Sequence, residues 1–221
     1  MGGAGDGGYL VPDDLVGVER CFSPGVGPVS NFEEALLARG IPCHLADGTV
    51  DAAHVVHPLM TFEKLNLGAH TQPGIVSLED WVNRHAAPDE RNLLLQMDIE
   101  GAEYDVLSSA SQELLKRFRI IVMEFHWLDQ LTHLKGGVLE RTIPRCITKL
   151  LDDFSVVHMH PNNCGGIARV ANYTIPRVME ITFLRRDRIT SSRPARVFPH
   201  PLDERNDKNR PDIVLPECWF S

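Results

Sequence analysis

The segment Leu93-Leu-Leu-Gln-Met97 is the strongest constraint on what this chain can become. It is almost continuously apolar and stops at Asp98, as a strand covered on both faces requires; a half-exposed strand would alternate. Arg119-Ile-Ile-Val-Met-Glu124 repeats the pattern. Between the two, Val106, Leu107, Ala110, Leu114 and Leu115 recur at helical spacing, which predicts one helix over Ala102–Phe118. Two doubly buried strands joined by a helix call for a mostly parallel sheet with helices on its faces.

The rest of the chain agrees with that frame. Val16–Phe22 reads as a first strand, ended by the glycine turn Ser23–Pro28. Ser30 is placed as an N-cap with Glu33 as its capping-box partner, and Gly40 as the stop of that helix. Ile41–Ala46 reads as a second strand ending at Asp47. Residues 48–76 carry no firm pattern. Ser77 caps a helix running to His85, with acids in its first turn and basic residues in its last. A helix near Val138–Phe154 leads to a strand at Ser155–His160, the loop Pro161–Gly166, and a final strand at Arg177–Leu184. No helix separates the last two strands, so they are expected to pair antiparallel. The reading is an α/β sandwich.

Charge and length narrow the function. The chain has 221 residues, enough for one good core and short for two. Its net charge of −8 argues against non-specific nucleic-acid binding. No run of 18 apolar residues predicts a membrane span. The N-terminus lacks the basic and apolar regions of a signal peptide. Five cysteines, odd in number and without a C-x-x-C pair, argue against a disulfide framework, and a cytoplasmic setting is the expectation. Residues 185–210 differ from the rest, with seven arginines and a net charge of +4. The expected organisation is a domain over 1–184 and an Arg/Pro-rich tail, 185–221, running over it.

Open α/β sheets bind ligands at the carboxyl ends of their strands. Gly25 and Gly27 follow the first strand, and Asp47 ends the second, 22 residues after Gly25. Glycines admit a ligand closely, and a carboxylate accepts from both ribose hydroxyls. The combination points to an adenosine-containing cofactor, and both NAD and S-adenosylmethionine fit. A third glycine of the dinucleotide pattern is missing, with Ser30 in that stretch. There is no G-x-x-x-x-G-K-S/T sequence, which argues against a P-loop.

The block Asp98-Ile-Glu-Gly-Ala-Glu103, a buried strand followed by an acidic helix start, resembles the fourth-strand motif of FkbM-type methyltransferases. Asp6-Gly-Gly-Tyr9, Phe22-Ser-Pro-Gly-Val-Gly27, Ser77-Leu-Glu-Asp80 and Val122-Met-Glu-Phe-His126 are similar to other blocks of that family. His160-Pro-Asn-Asn163 and Pro176-Arg-Val-Met-Glu180 are similar to blocks of one of its branches. Ser23-Pro24 stand where the family usually has an acid. The resemblance implies a Rossmann-like three-layer sandwich with a seven-stranded, mostly parallel sheet and an antiparallel last strand. It also implies S-adenosylmethionine as cofactor and methyl transfer to an oxygen of a sugar or natural product.

These readings set the expected site. Tyr9, Ser23, Gly25, Gly27, Asp47 and Asp98 are candidates for cofactor binding. Asp98, Glu124 and His126, at the ends of adjacent strands, are candidate ligands of Mg²⁺ or a similar ion, with His126 alternatively a general base. Glu100, His160, Asn162 and Asn163 are candidates for holding a polyhydroxylated acceptor, and Trp127 for stacking on a sugar face. His158 is read as structural, on the face away from His160. The expected partner is a small-molecule or oligosaccharide acceptor, with a homodimer as a candidate assembly. Two other functions share the turn: an NAD-type oxidoreductase acting on a nucleotide sugar, and a catalytically silent binding module.

Overall fold

A computed structural model describes residues 1–3, 5, 7–27, 30–132, 137–170, 173–195 and 197–220. In chain order the elements are β1 (Arg20–Pro24), α1 (Asn31–Leu37), β2 (Cys43–Ala46), β3 (Met60–Glu63), β4 (Asn66–Gly68), β5 (Ile75–Ser77) and α2 (Leu78–His85). There follow β6 (Leu93–Met97), α3 (Glu103–Ser109), α4 (Gln112–Leu115), β7 (Phe118–Phe125) and α5 (Val138–Leu151). The last are β8 (Phe154–Pro161), β9 (Ile167–Val170), β10 (Tyr173–Pro176) and β11 (Met179–Arg185).

Seven strands form one sheet in the order β3-β2-β1-β6-β7-β11-β8. All neighbours are parallel except β11, which runs antiparallel between β7 and β8. The expected α/β sandwich with an antiparallel last strand is what the chain forms. All five β6 residues and all eight of β7 are buried. One face packs against α2, α3 and α5 through Trp81, Tyr104, Phe118 and Phe125. The other packs against α1 and the N-terminal segment through Tyr9, Phe32, Leu36 and Ile120. Thr182 holds that segment, donating to the Leu10 carbonyl at 2.7 Å.

Several local expectations change. The first strand begins at Arg20 rather than Val16, because Asp14–Gly17 form a turn whose carbonyls accept from the buried Arg119 guanidinium. The predicted helix over Ala102–Phe118 is two helices, broken at Ala110, where Ser111 caps the second by accepting from the Leu114 N–H. Ser77 caps α2 as expected. Ser30 makes no side-chain cap, and Glu33 turns inward instead of closing a capping box. The pattern-poor stretch before Ser77 supplies edge strand β3 and the pair β4–β5. A hairpin, β9–β10, stands between β8 and β11.

The tail is anchored along its length. Arg185 donates to the carbonyls of Arg91 and Lys116, and Arg188 grips Asp14 with two hydrogen bonds. Leu215 is buried, and Trp219 donates to the Thr174 carbonyl.

Candidate functional site

A cavity of about 540 Å³ opens at the carboxyl ends of β2, β1 and β6. That is room for a nucleoside-sized ligand. Tyr9, Gly25, Gly27, Asp47, Asp98 and Glu100 all line it. Asp6, quoted with Tyr9 above, lies outside the described residues.

The turn after β1 is built against the end of β6. Gly25 has φ +80°, and a Cβ there would stand 1.5 Å from the Asp98 carbonyl oxygen, so only glycine fits. Asp47 Oδ2 accepts from the Gly27 N–H at 3.2 Å, and Oδ1 accepts from the N–H and hydroxyl of Thr49. Burial alone would raise the Asp47 carboxyl, but these donors hold it below the usual range, so it stays ionised. Its oxygens keep lone pairs for further hydrogen bonds.

Ser23 corrects the expectation of direct ligand contact. It is fully buried and does not line the cavity. Its Oγ bonds instead to Glu33 and, at 2.6 Å, to Gln96, whose amide reaches the Tyr9 hydroxyl at 3.3 Å. Glu33 and Gln96 line the cavity in its place.

Asp98, Glu124 and His126 converge at the ends of β6 and β7. One ligand atom from each lies within 4.8 Å of the others. His126 Nε2 is 3.5 Å from Glu124, 3.9 Å from Asp98 and 3.4 Å from Glu100. Its Nδ1 lies 2.9 Å from Glu103, a fully buried carboxylate that also accepts from the N–H groups of Ile99 and Gly101. Nδ1 therefore carries the proton, and Nε2 faces the acids. Burial disfavours charge on the ring, but Glu103, Asp98 and Glu100 outweigh it and raise His126 above its ordinary value. Four carboxylates around one imidazole leave a net negative site, and its oxygen and nitrogen donors suit a hard divalent ion.

The backbone here is strained. Glu100 and Trp127 have φ of +56° and +59°. The Trp127 indole lies over Gly101, where a Cβ would come 2.3 Å from Nε1. It is half-exposed beside the acidic cluster.

The acceptor candidates divide. Asn162 donates its amide to both Glu124 oxygens at 3.2 Å and accepts from the Cys164 N–H, so it positions Glu124. Asn163 is a correction: its amide is occupied by Asp207 and Arg210 of the tail, and it pins the tail rather than a ligand. His160 is buried beside Glu180, on a row that runs Glu124, Glu180, His160 across β7, β11 and β8. For His158 only the expected face is corrected; its imidazole pairs with Asp203 at 2.9 Å, as a structural residue does. Residues two apart on a strand share a face, and both imidazoles line a small second pocket of about 50 Å³ with Asp203 and Glu180. Glu33, Gln96, Glu103 and Glu180 were not among the expected site residues. Glu103 and Glu180 end two of the quoted blocks; nothing local marked Glu33 or Gln96 as part of a site.

Residues 65–135 match the family model described as the methyltransferase FkbM domain. The match contains the blocks at 77–80, 98–103 and 122–126, and over it the FkbM resemblance is borne out. It supports S-adenosylmethionine-dependent methyl transfer, with S-adenosylmethionine the expected cofactor. No curated protein matches. A putative hemolysin from Streptococcus thermophilus is 11% identical with a TM-score of 0.40, over 76% of this chain and 60% of that one. The 16S rRNA (adenine(1408)-N(1))-methyltransferase from Catenulisporales acidiphilia is 13% identical with a TM-score of 0.34, over 77% of this chain and 87% of that one. The glycopeptide N-methyltransferase MtfA is 9% identical with a TM-score of 0.35, over 76% and 80%. Likenesses this weak set neither substrate nor reaction. No helix among the described residues is long and apolar enough to cross a membrane.

Proposed function

We propose that the chain is an S-adenosylmethionine-dependent O-methyltransferase acting on a hydroxyl of a sugar, oligosaccharide or glycosylated metabolite, aided by a divalent ion such as Mg²⁺. The observation that carries this is the position of Asp98. It lines the nucleoside-sized cavity and is also a member of the Asp98–Glu124–His126 cluster, so cofactor and acceptor sites meet at one carboxylate.

Asp47 takes the ribose hydroxyls, and Tyr9 supplies part of the cavity wall. The cofactor supplies a methyl group on a sulfonium; transfer to oxygen needs in-line geometry and loss of the hydroxyl proton. Asp98, Glu124 and His126 would hold the ion, whose chemistry is to lower the hydroxyl pKa. Nε2 of His126 has one lone pair, so as a ligand it is not the base. Glu100, its carboxylate largely open to solvent beside Nε2, is placed to take the hydroxyl's hydrogen bond. Trp127 offers an apolar plate to the C–H face of a sugar ring. The free cysteines, three of them buried, suit a reducing cytoplasm.

The test is calorimetry with S-adenosylhomocysteine, followed by methyl-transfer assays on hydroxylated acceptors with Mg²⁺. Micromolar binding and a methyl ether product support the proposal. Binding of NAD but not S-adenosylhomocysteine would overturn it.

A further inference from the structure

We infer that Glu33 is the carboxylate that receives the α-ammonium group of the cofactor's amino-acid end, taking from helix α1 the place left open by Ser23 on β1. The inference rests on reading the large cavity as an S-adenosylmethionine site.

Glu33 is only 3% exposed, yet it lines the cavity. Burial pushes its carboxyl above the usual range, against the hydrogen bond with Ser23. Glu34 acts on it as a like charge, and no ion pair to Glu33 occurs among the described residues. A buried carboxylate with no cation is costly unless a ligand brings one. The expected ligand brings two cationic centres, a sulfonium and an ammonium. The sulfonium must face the acceptor at Asp98, and Asp47 marks the ribose end. The ammonium is left for the wall formed by Tyr9, Glu33 and Gln96, under which Ser23 lies.

The hydrogen bonds support this role. Ser23 has one proton and two acceptor neighbours, Glu33 Oε1 and Gln96 Oε1. The count closes if Glu33 is protonated and donates to Ser23. It also closes if the Gln96 amide is turned, so that Tyr9 donates to Gln96, Gln96 to Ser23, and Ser23 to an ionised Glu33. The second pattern delivers a stabilised carboxylate to the cavity when a cation arrives.

The experiment compares S-adenosylhomocysteine with methylthioadenosine, which lacks the amino-acid end, by calorimetry on wild type, Glu33→Gln and Ser23→Ala, with thermal melting as the fold control. Wild type should prefer S-adenosylhomocysteine, and Glu33→Gln should weaken that ligand by about 10- to 100-fold while leaving methylthioadenosine within twofold. Ser23→Ala should give a smaller loss of the same kind. A Glu33→Gln variant that keeps the wild-type preference, or weakens both ligands equally, overturns the inference. Wild type binding neither ligand overturns the cofactor reading instead.

Discussion

Glu103 and His126 are joined at 2.9 Å through Nδ1, and the same carboxylate oxygen holds the backbone of Ile99 and Gly101. One buried acid thus ties the end of β6 to the end of β7 and aims Nε2 at Asp98 and Glu124. Glu103→Gln keeps an acceptor for Nδ1 but loses the charge. Divalent affinity and methyl transfer should each fall about tenfold or more, with S-adenosylhomocysteine binding unchanged. Equal divalent affinity in the two proteins would refute the positioning role.

If the cluster holds a metal, Glu124→Gln should abolish binding of Mn²⁺ measured by electron paramagnetic resonance, and a chelator should stop turnover in wild type. The substitution turns an amide group toward the Asn162 donor as well, so some stability loss is expected. Full turnover in chelator would remove the metal from the mechanism and return His126 to the role of base.

Trp127→Ala should raise KM for the acceptor about tenfold, leave kcat within threefold, and leave cofactor binding alone, because the indole packs over Gly101 and does not line the large cavity. A change confined to cofactor affinity would contradict the stacking role.

Gly25→Ala should be among the most damaging single changes, costing about 3 kcal/mol or more, since its Cβ meets backbone rather than a yielding side chain and φ is positive. Chemical denaturation measures this. A loss under about 1 kcal/mol would show that the turn can move away from Asp98.

His44 should make the fold acid-sensitive. It is 7% exposed, stacks on His85 at 4.3 Å and bonds to Arg20 and Thr61. Burial first, then His85 and Arg20, lower its pKa to about 4. The unfolded chain takes up this proton below about 6.5 and the folded chain does not until about 4. Stability should therefore fall as pH drops through that window, with a slope approaching about 1.4 kcal/mol per pH unit. His44→Gln should flatten the slope, measured as denaturation midpoint against pH.

Much of the architecture was legible locally. The unbroken apolar runs at β6 and β7 required cover on both faces, and Ser77 announced α2. The polar residues ending those strands had to emerge at one sheet edge, which is why the sequence groups Asp98, Glu124 and His126. Glu33 shows the opposite case. By spacing it was a good capping partner for Ser30, and competition from Ser23 on a neighbouring strand drew it inward. Asn162 and Asn163 looked alike in one loop, yet one serves Glu124 across 38 residues and the other the tail across 44.

Sequence alone determined the alternation of strand and helix, the doubly buried strands and the sheet edge where chemistry collects, because hydrophobic period and caps act over a few residues. The tertiary structure decided which polar groups pair. Those pairs depend on strand order, on β11 inserting between β7 and β8, and on the tail's path back to the 160s loop. None of these leaves a periodic trace, since a single long-range contact is selected by register and by the cost of leaving a buried polar group unmatched.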